Sequence, residues 1–178
     1  MLDPYTWYHG FAMSEAARPR YQVSIRIEAP FRGRLDSRAL RRLAVRVLRA
    51  EGVAPPAEVG LVVTDDETLR DLNRRYLSLD EPTDVLSFGQ EPFDELRARP
   101  FDRVRAEPFV TPPDGVRRLG EVILSYPTAE RQAQEAGHSV QEEAAHLVVH
   151  GLLHLLGYDH EDPDDERRMR AREEELLG

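Results

Sequence analysis

Hydrophobic residues recur along the chain with two periods, which predict alternating strands and helices. Over residues 21–28, apolar and polar residues alternate, which is typical of a strand with one buried face. A helix is predicted after Asp36, a residue type that caps helices, and Gly52 is expected to end it. Its apolar positions recur at helical spacing and are Leu40, Leu43, Ala44, Val47 and Leu48.

Three further strands and two further helices are predicted in the middle of the chain. The strands are expected over residues 59–63, 84–88 and 121–125. Acidic residues that can cap a helix follow the strand over residues 59–63. The helix predicted after them has Leu69, Leu72 and Tyr76 on its apolar face. A short helix is expected between Pro127 and Gly137.

A long apolar helix is predicted over residues 140–156. Ser139 and Glu142 form a capping box in front of it, and Gly157 closes it. Asp162 is expected to cap a last, highly charged helix that ends near residue 177. The hydrophobic pattern thus predicts four strands and about five helices.

Two segments have no hydrophobic period. Residues 1–19 are rich in Pro, Gly and polar residues, and we expect a disordered N-terminal extension. Residues 90–118 hold five of the 13 Pro residues and are expected to form a long loop. Residues 20–178 are therefore interpreted as a single domain, of a size suited to one hydrophobic core.

Composition narrows the classes of function. The chain has 178 residues, a formal net charge of -9 and no Cys, so a metal ion would be held by His and carboxylates. Secretion and membrane spanning have no support in the apolar pattern, and we expect a cytoplasmic protein. Although the net charge of the chain is negative, residues 31–50 carry seven Arg and one acidic residue, which predicts a local basic patch.

Three histidines near the C-terminus have the spacing of a metal site. His150 and His154 lie one turn apart on one helical face, and the break at Gly157 brings His160 back toward them. Three imidazoles with an open fourth position are the arrangement of catalytic zinc. The alternative is that these are core or surface histidines on an amphipathic helix. As core residues they would leave buried imidazoles unpaired, which is unfavourable. We therefore predict one metal ion held by the three histidines.

Other polar residues lie close to this motif. His146, one turn before His150, either contacts the site or the substrate, or packs at the rim. Asp159 and Asp162 either orient the ligands or cap a helix end. The sequence leaves both alternatives open.

The same histidine spacing occurs in metzincin proteases, whose motif is H-E-x-x-H-x-x-G-x-x-H. Here Gly151 follows His150, at the position where zincins carry the Glu that serves as general base. Glycine cannot accept a proton, so the most economical peptidase mechanism is missing.

Three motifs follow one another in order along the chain. The first combines Leu72-Asn73, Tyr76 and Asp80 with PTDVLSF over residues 82–88. The second is LGEVI over residues 119–123, and the third is HGLLHLLGYDH over residues 150–160. Together they resemble the YbeY family of bacterial metal-dependent endoribonucleases and rRNA maturation factors, over roughly residues 21–178.

This resemblance implies an α+β fold, in which a small mixed four-stranded sheet is flanked by about five helices, with a zincin-like metal helix. It implies one zinc ion on His150, His154 and His160. It also implies an endoribonuclease that cuts single-stranded RNA during maturation of the 3′ end of small-subunit rRNA and in ribosome quality control. The expected partners are RNA and the ribosome or its proteins, with no membrane; oligomeric state is left open.

The chain departs from the family pattern at three positions. Leu77 stands where the family usually has an Arg thought to contact RNA, Gly89 replaces a Pro, and Glu121 stands where Asp is commoner. The loop over residues 90–118 is also longer than is typical of the family. Arg74 or Arg75 are candidates to replace the missing contact, although on a helix they point in other directions than residue 77.

Substrate contacts are expected from basic side chains, although a solvated helix face is the alternative for those of the first helix. The candidates are Arg38, Arg42, Arg49, Arg74, Arg75 and His146. No protein general base is evident, so the nucleophile is either a water activated by the metal or the ribose 2′-OH. A noncatalytic zinc-containing assembly factor and a metallopeptidase-like hydrolase remain as alternative functions.

Overall fold

The computed structural model describes residues 21–89, 114–160 and 162–178. The predicted N-terminal extension and most of the predicted loop over residues 90–118 lie outside these ranges. The last two residues of that loop, Arg117 and Arg118, already belong to a strand.

The described residues form four strands and five helices. The strands are β1 (Tyr21–Ile27), β2 (Ala57–Thr64), β3 (Val85–Gly89) and β4 (Arg117–Ser125). The helices are α1 (Ser37–Ala50), α2 (Asp66–Leu77), α3 (Tyr126–Ala136), α4 (Val140–Leu155) and α5 (Pro163–Leu177). A short 3-10 helix, Ala29–Phe31, follows β1. The predicted α+β fold is confirmed.

The four strands form one mixed sheet in the order β1-β2-β4-β3. β1, β2 and β4 are parallel, and β3 is antiparallel to β4. Parallel neighbours need a crossover connection, which α1 supplies between β1 and β2. The Asp36 side chain caps α1 by accepting hydrogen bonds from the backbone N–H groups of Arg38 and Ala39.

Helices cover both faces of the sheet, and β2 is therefore buried on both sides. Val63 points into the larger core, which α1, α4 and α5 complete. Val62 points the other way and packs with Leu69 of α2. This explains why β2 reads as a continuous apolar run rather than as an alternation. Tyr76 departs from its predicted place on the buried face of α2: its side chain is 68% exposed.

α4 passes through the centre of the molecule. Nine of its 16 residues are buried, which is why its sequence is apolar on nearly all sides. The predicted capping box forms, with Ser139 and Glu142 each satisfying the other's backbone N–H. The first two histidines of the predicted motif, His150 and His154, therefore lie on a helix that is fixed by packing along most of its length.

Gly151 allows α4 to approach the sheet closely. A Cβ atom at this position would lie 2.5 Å from Cγ1 of Val122 and 3.0 Å from Oγ of Ser87. The Ser87 hydroxyl also donates a hydrogen bond of 3.0 Å to the carbonyl oxygen of Gly151. Position 151 therefore faces the sheet, and a Glu there, as in zincin proteases, would collide with β4.

Replacing Gly151 with Ala tests this close approach. Although Ala favours helix formation, we expect Gly151→Ala to lower the free energy of unfolding by about 1–3 kcal/mol through overpacking. Urea denaturation measures the free energy of unfolding. The loss caused by Gly151→Ala should be smaller in a Val122→Ala background, where the colliding methyl groups are gone. A neutral or stabilising effect in the wild-type background would contradict the packing described.

Candidate metal centre

His150 and His154 project side by side from the C-terminal half of α4. Their Nε2 atoms lie 3.1 Å apart, and their ring centroids lie 4.6 Å apart. Two imidazole nitrogens bound to one tetrahedral zinc ion at about 2.0–2.1 Å would lie about 3.3–3.4 Å from each other. The observed separation therefore fits shared ligation after a small adjustment.

His160 returns to this pair after the turn that follows α4. Gly157 has a φ of 94°, a left-handed conformation that favours glycine and reverses the chain. The His160 ring centroid then lies 5.8 Å from that of His150 and 5.0 Å from that of His154. One nitrogen of each ring lies within 4.8 Å of the others. The structure thus brings the three predicted ligands together.

The rings of His150 and His154 are oriented by hydrogen bonds at Nδ1. His154 Nδ1 lies 3.0 Å from the carbonyl oxygen of Tyr158, which can only accept a hydrogen bond. His150 Nδ1 lies 2.7 Å from Oε1 of Glu173. With protons at Nδ1, both Nε2 atoms present lone pairs to the same point, so this donor set fits a divalent metal ion such as zinc.

Glu173, on α5, lies outside the three sequence motifs, yet its side chain contacts the histidine cluster. It is 8% exposed and lies on the inward face of α5 with Met169 and Leu176. An acid at an apolar position of a helix is the sequence signal that finds it, because a buried charge requires partners. The partners are His150 and, with Nε2 at 3.5 Å from Oε2, His146.

Glu173 stays ionised in this environment. Burial opposes ionisation, but hydrogen bonds with His146 and His150 outweigh it and lower the pKa of Glu173 to about 2. The same contact raises the pKa of His146. A carboxylate on Nδ1 of a ligand histidine fixes the ring and increases the basicity of Nε2.

His154 is held in the neutral form that metal ions bind. Burial, and then the proximity of His150 and His160, lowers the pKa of His154 to about 4. The ring therefore offers its lone pair near neutral pH without first releasing a proton.

A cavity of about 1350 Å³ opens at the histidine cluster between α1, α4 and α5. Arg42 and His146, both predicted substrate contacts, line it, as does Arg46. Arg38 and Arg49 are not among the described residues that line it, and the Arg49 guanidinium lies over the ring of Tyr21, 5.7 Å from its centroid.

Arg74 and Arg75 lie on α2, which packs on the sheet face opposite to α4. Both guanidinium groups pair with Asp71. The structure does not bring them to the histidine cluster. The side chain of Leu77 lies outside the described part of the structure.

The two carboxylates near the motif have local roles. Asp162 caps α5 by accepting a hydrogen bond of 2.8 Å from the backbone N–H of Asp164. Asp159 accepts one of 2.7 Å from the backbone N–H of His160. Glu173 contacts a predicted ligand ring directly, with its Oε1 at 2.7 Å from Nδ1 of His150.

The fold and the site define an α+β protein with a three-histidine centre that can hold a metal ion. Across the described ranges, no helix combines the length and apolar character needed to cross a membrane. The family model described as Endoribonuclease YbeY matches residues 29–178. The chain belongs to this family, as the three motifs predict.

Individual relatives match over most of their length. An endoribonuclease YbeY of Roseiflexus sp. (strain RS-1) is 45% identical over 166 residues, which cover 93% of this chain and 94% of the relative. One from Dehalococcoides mccartyi (strain CBDB1) is 42% identical over 153 residues, covering 86% and 89%. The solution structure of TM1509 from Thermotoga maritima shares the fold, with a TM-score of 0.53 and 22% identity over 88% of this chain and 87% of that one.

The lowered pKa of His154 predicts how the stability of the metal-free protein depends on pH. Because the pKa of His154 is 6.5 in the unfolded chain and about 4 in the folded one, its neutral ring contributes to stability. This contribution is complete above pH 6.5 and is lost as the pH falls toward 4. The loss amounts to about 3 kcal/mol at most. Urea denaturation in a chelator across this range should show a flatter profile for His154→Gln than for wild type. Parallel profiles would contradict the assignment.

Proposed function

We propose that this chain is a zinc-dependent endoribonuclease that cuts single-stranded RNA, and that it acts on the 3′ end of small-subunit rRNA in maturation and quality control of ribosomes in the cytoplasm. The proposal is carried by the three-histidine cluster formed by α4 and the turn that follows it, because two of its members, His150 and His160, line the cavity between α1, α4 and α5. Membership of a family described as Endoribonuclease YbeY supports RNA as the substrate.

The number of donors favours an enzyme over a noncatalytic assembly factor. Among the described residues, the group suited to a metal ion comprises three side chains, whereas structural zinc sites use four. Gly151 disfavours a peptidase, because the position of the usual zincin base is filled by the sheet. Three imidazoles also suit other borderline metals, so zinc is part of the proposal.

When bound, a divalent ion supplies positive charge for a scissile phosphate and makes water a stronger nucleophile near neutral pH. Glu173 and the Tyr158 carbonyl orient two of the ligand rings. His146 lines the same cavity, and the hydrogen bond with Glu173 raises its pKa, which favours the protonated form. Arg42 and Arg46 supply further cationic groups along the wall formed by α1.

Loss of one ligand histidine tests the activity. Wild type is expected to hold about one zinc ion per chain and to cut a single-stranded precursor of the small-subunit rRNA 3′ end but not a duplex. His154→Ala, purified identically to exclude a contaminating nuclease, should lose both the metal and the cleavage. If wild type retains its zinc but cuts no faster than the variant, the noncatalytic assembly factor replaces the enzyme as the function.

The salt dependence of RNA binding tests the contacts along α1. Arg42→Gln combined with Arg46→Gln should weaken binding of single-stranded RNA and make the plot of log K against log salt shallower by about 1.4, for two lost phosphate contacts. Arg38→Gln combined with Arg49→Gln is the matched control, since these residues share α1 but do not line the cavity. An unchanged slope in the first variant would refute the cavity wall as the RNA contact.

A further inference from the structure

The turn between the second and third histidines is held by Tyr158, a residue that offers no ligand atom to the cluster. Its backbone carbonyl accepts the hydrogen bond from His154 Nδ1 at 3.0 Å. Its backbone N–H donates a bond of 3.0 Å to the carbonyl oxygen of Leu153 in the last turn of α4. Its phenol donates a bond of 2.8 Å to Oε2 of Glu51. Tyr158 therefore links the turn to α4 at the backbone and to the end of α1 through its hydroxyl.

Glu51 is shared between Tyr158 and Arg172 of α5. Arg172 Nε donates a hydrogen bond of 2.6 Å to the second carboxylate oxygen of Glu51, and its Nη2 donates one of 3.2 Å to the carbonyl oxygen of Ala50. The side chains of Arg172 and Glu51 are 23% and 11% exposed. Because the pair is largely shielded from water, it is a stronger constraint than a pair of exposed charges.

Consecutive residues of α5 thus act on the two ligands of α4 by separate routes. Glu173 contacts the ring of His150 directly. Arg172 acts on the ring of His154 through Glu51 and the turn residue Tyr158. Neighbouring side chains on a helix diverge by about 100°, which lets α5 brace the cluster from two directions.

We propose that Glu51, Arg172 and the hydroxyl of Tyr158 are positioning residues of the metal centre. They fix the turn over residues 156–159, and with it the ring orientation of His154 and the return of His160. Metal ligation requires side chains placed to within about 0.5 Å, and supporting hydrogen bonds typically contribute about 10–100-fold in metal affinity. The inference rests on the proposed metal site and is independent of RNA as the substrate.

Tyr158→Phe and Glu51→Gln in the full chain test the proposal. Both keep the size of the side chain and remove, respectively, the hydroxyl and the charge that hold the turn. We expect each to weaken Zn²⁺ binding by about 10–100-fold in competition with a chromophoric chelator, and to alter the visible spectrum of the Co²⁺-loaded protein. The double variant should lose less than the product of the two single effects, because both act through one hydrogen bond.

A matched control separates positioning from stability. Arg167→Gln breaks an exposed ion pair with Asp164 on the same helix and should leave both metal readouts unchanged. Thermal unfolding of the metal-free variants reports any loss of stability separately from metal affinity.

The proposal is overturned if Tyr158→Phe and Glu51→Gln bind Zn²⁺ as tightly as wild type and give the same Co²⁺ spectrum, even with a lower Tm, since the network would then be structural only. If wild type itself binds neither ion, the proposed metal site fails and this inference fails with it. The wild-type measurement therefore distinguishes the two failures.

Discussion

The hydrogen bond between Glu173 and His150 is the interaction on which the rest of the site depends. A carboxylate that is 8% exposed must be paired, because an unpaired buried charge is strongly destabilising. Its partners on α4 are His146 and His150, and donation from Nδ1 of His150 turns the Nε2 of that ring toward His154. The requirement to satisfy one buried charge thus both docks α5 on α4 and orients a ring of the proposed metal centre.

The packing of α4 fixes the positions of His150 and His154. α4 is buried along most of its length and approaches β4 so closely at Gly151 that no side chain fits between them. His150 lies on the part of α4 that opens to the cavity between α1 and α5, and His154 follows it by one helical turn. Their positions are therefore set by the core, while their ring orientations are set by groups from the turn and α5.

Local pattern predicts the elements and the ligands, because both are encoded by short spacings. Strands and helices follow from apolar periods, and the cluster follows from three histidines around Gly157. Glu173 and Glu51 escape such reasoning, since they meet the motif only after α5 and α1 have packed. Likewise, a count of Arg residues marks α1 as basic but does not tell that Arg46 faces the cavity and Arg49 stacks on Tyr21. Which side chains of α1 face the cavity depends on how this helix packs against the rest of the protein.

Nitrogen NMR of the imidazole rings, recorded in the metal-free protein and after one equivalent of Zn²⁺, tests directly how these rings are held and whether they bind the ion. The proposed metal centre requires that His150 and His154 carry their protons at Nδ1 before zinc is added, and that the Nε2 resonances of both rings shift when it binds, together with one nitrogen of His160. Protonation at Nε2 in either helix histidine of the metal-free protein, or rings that do not respond to zinc, would contradict it.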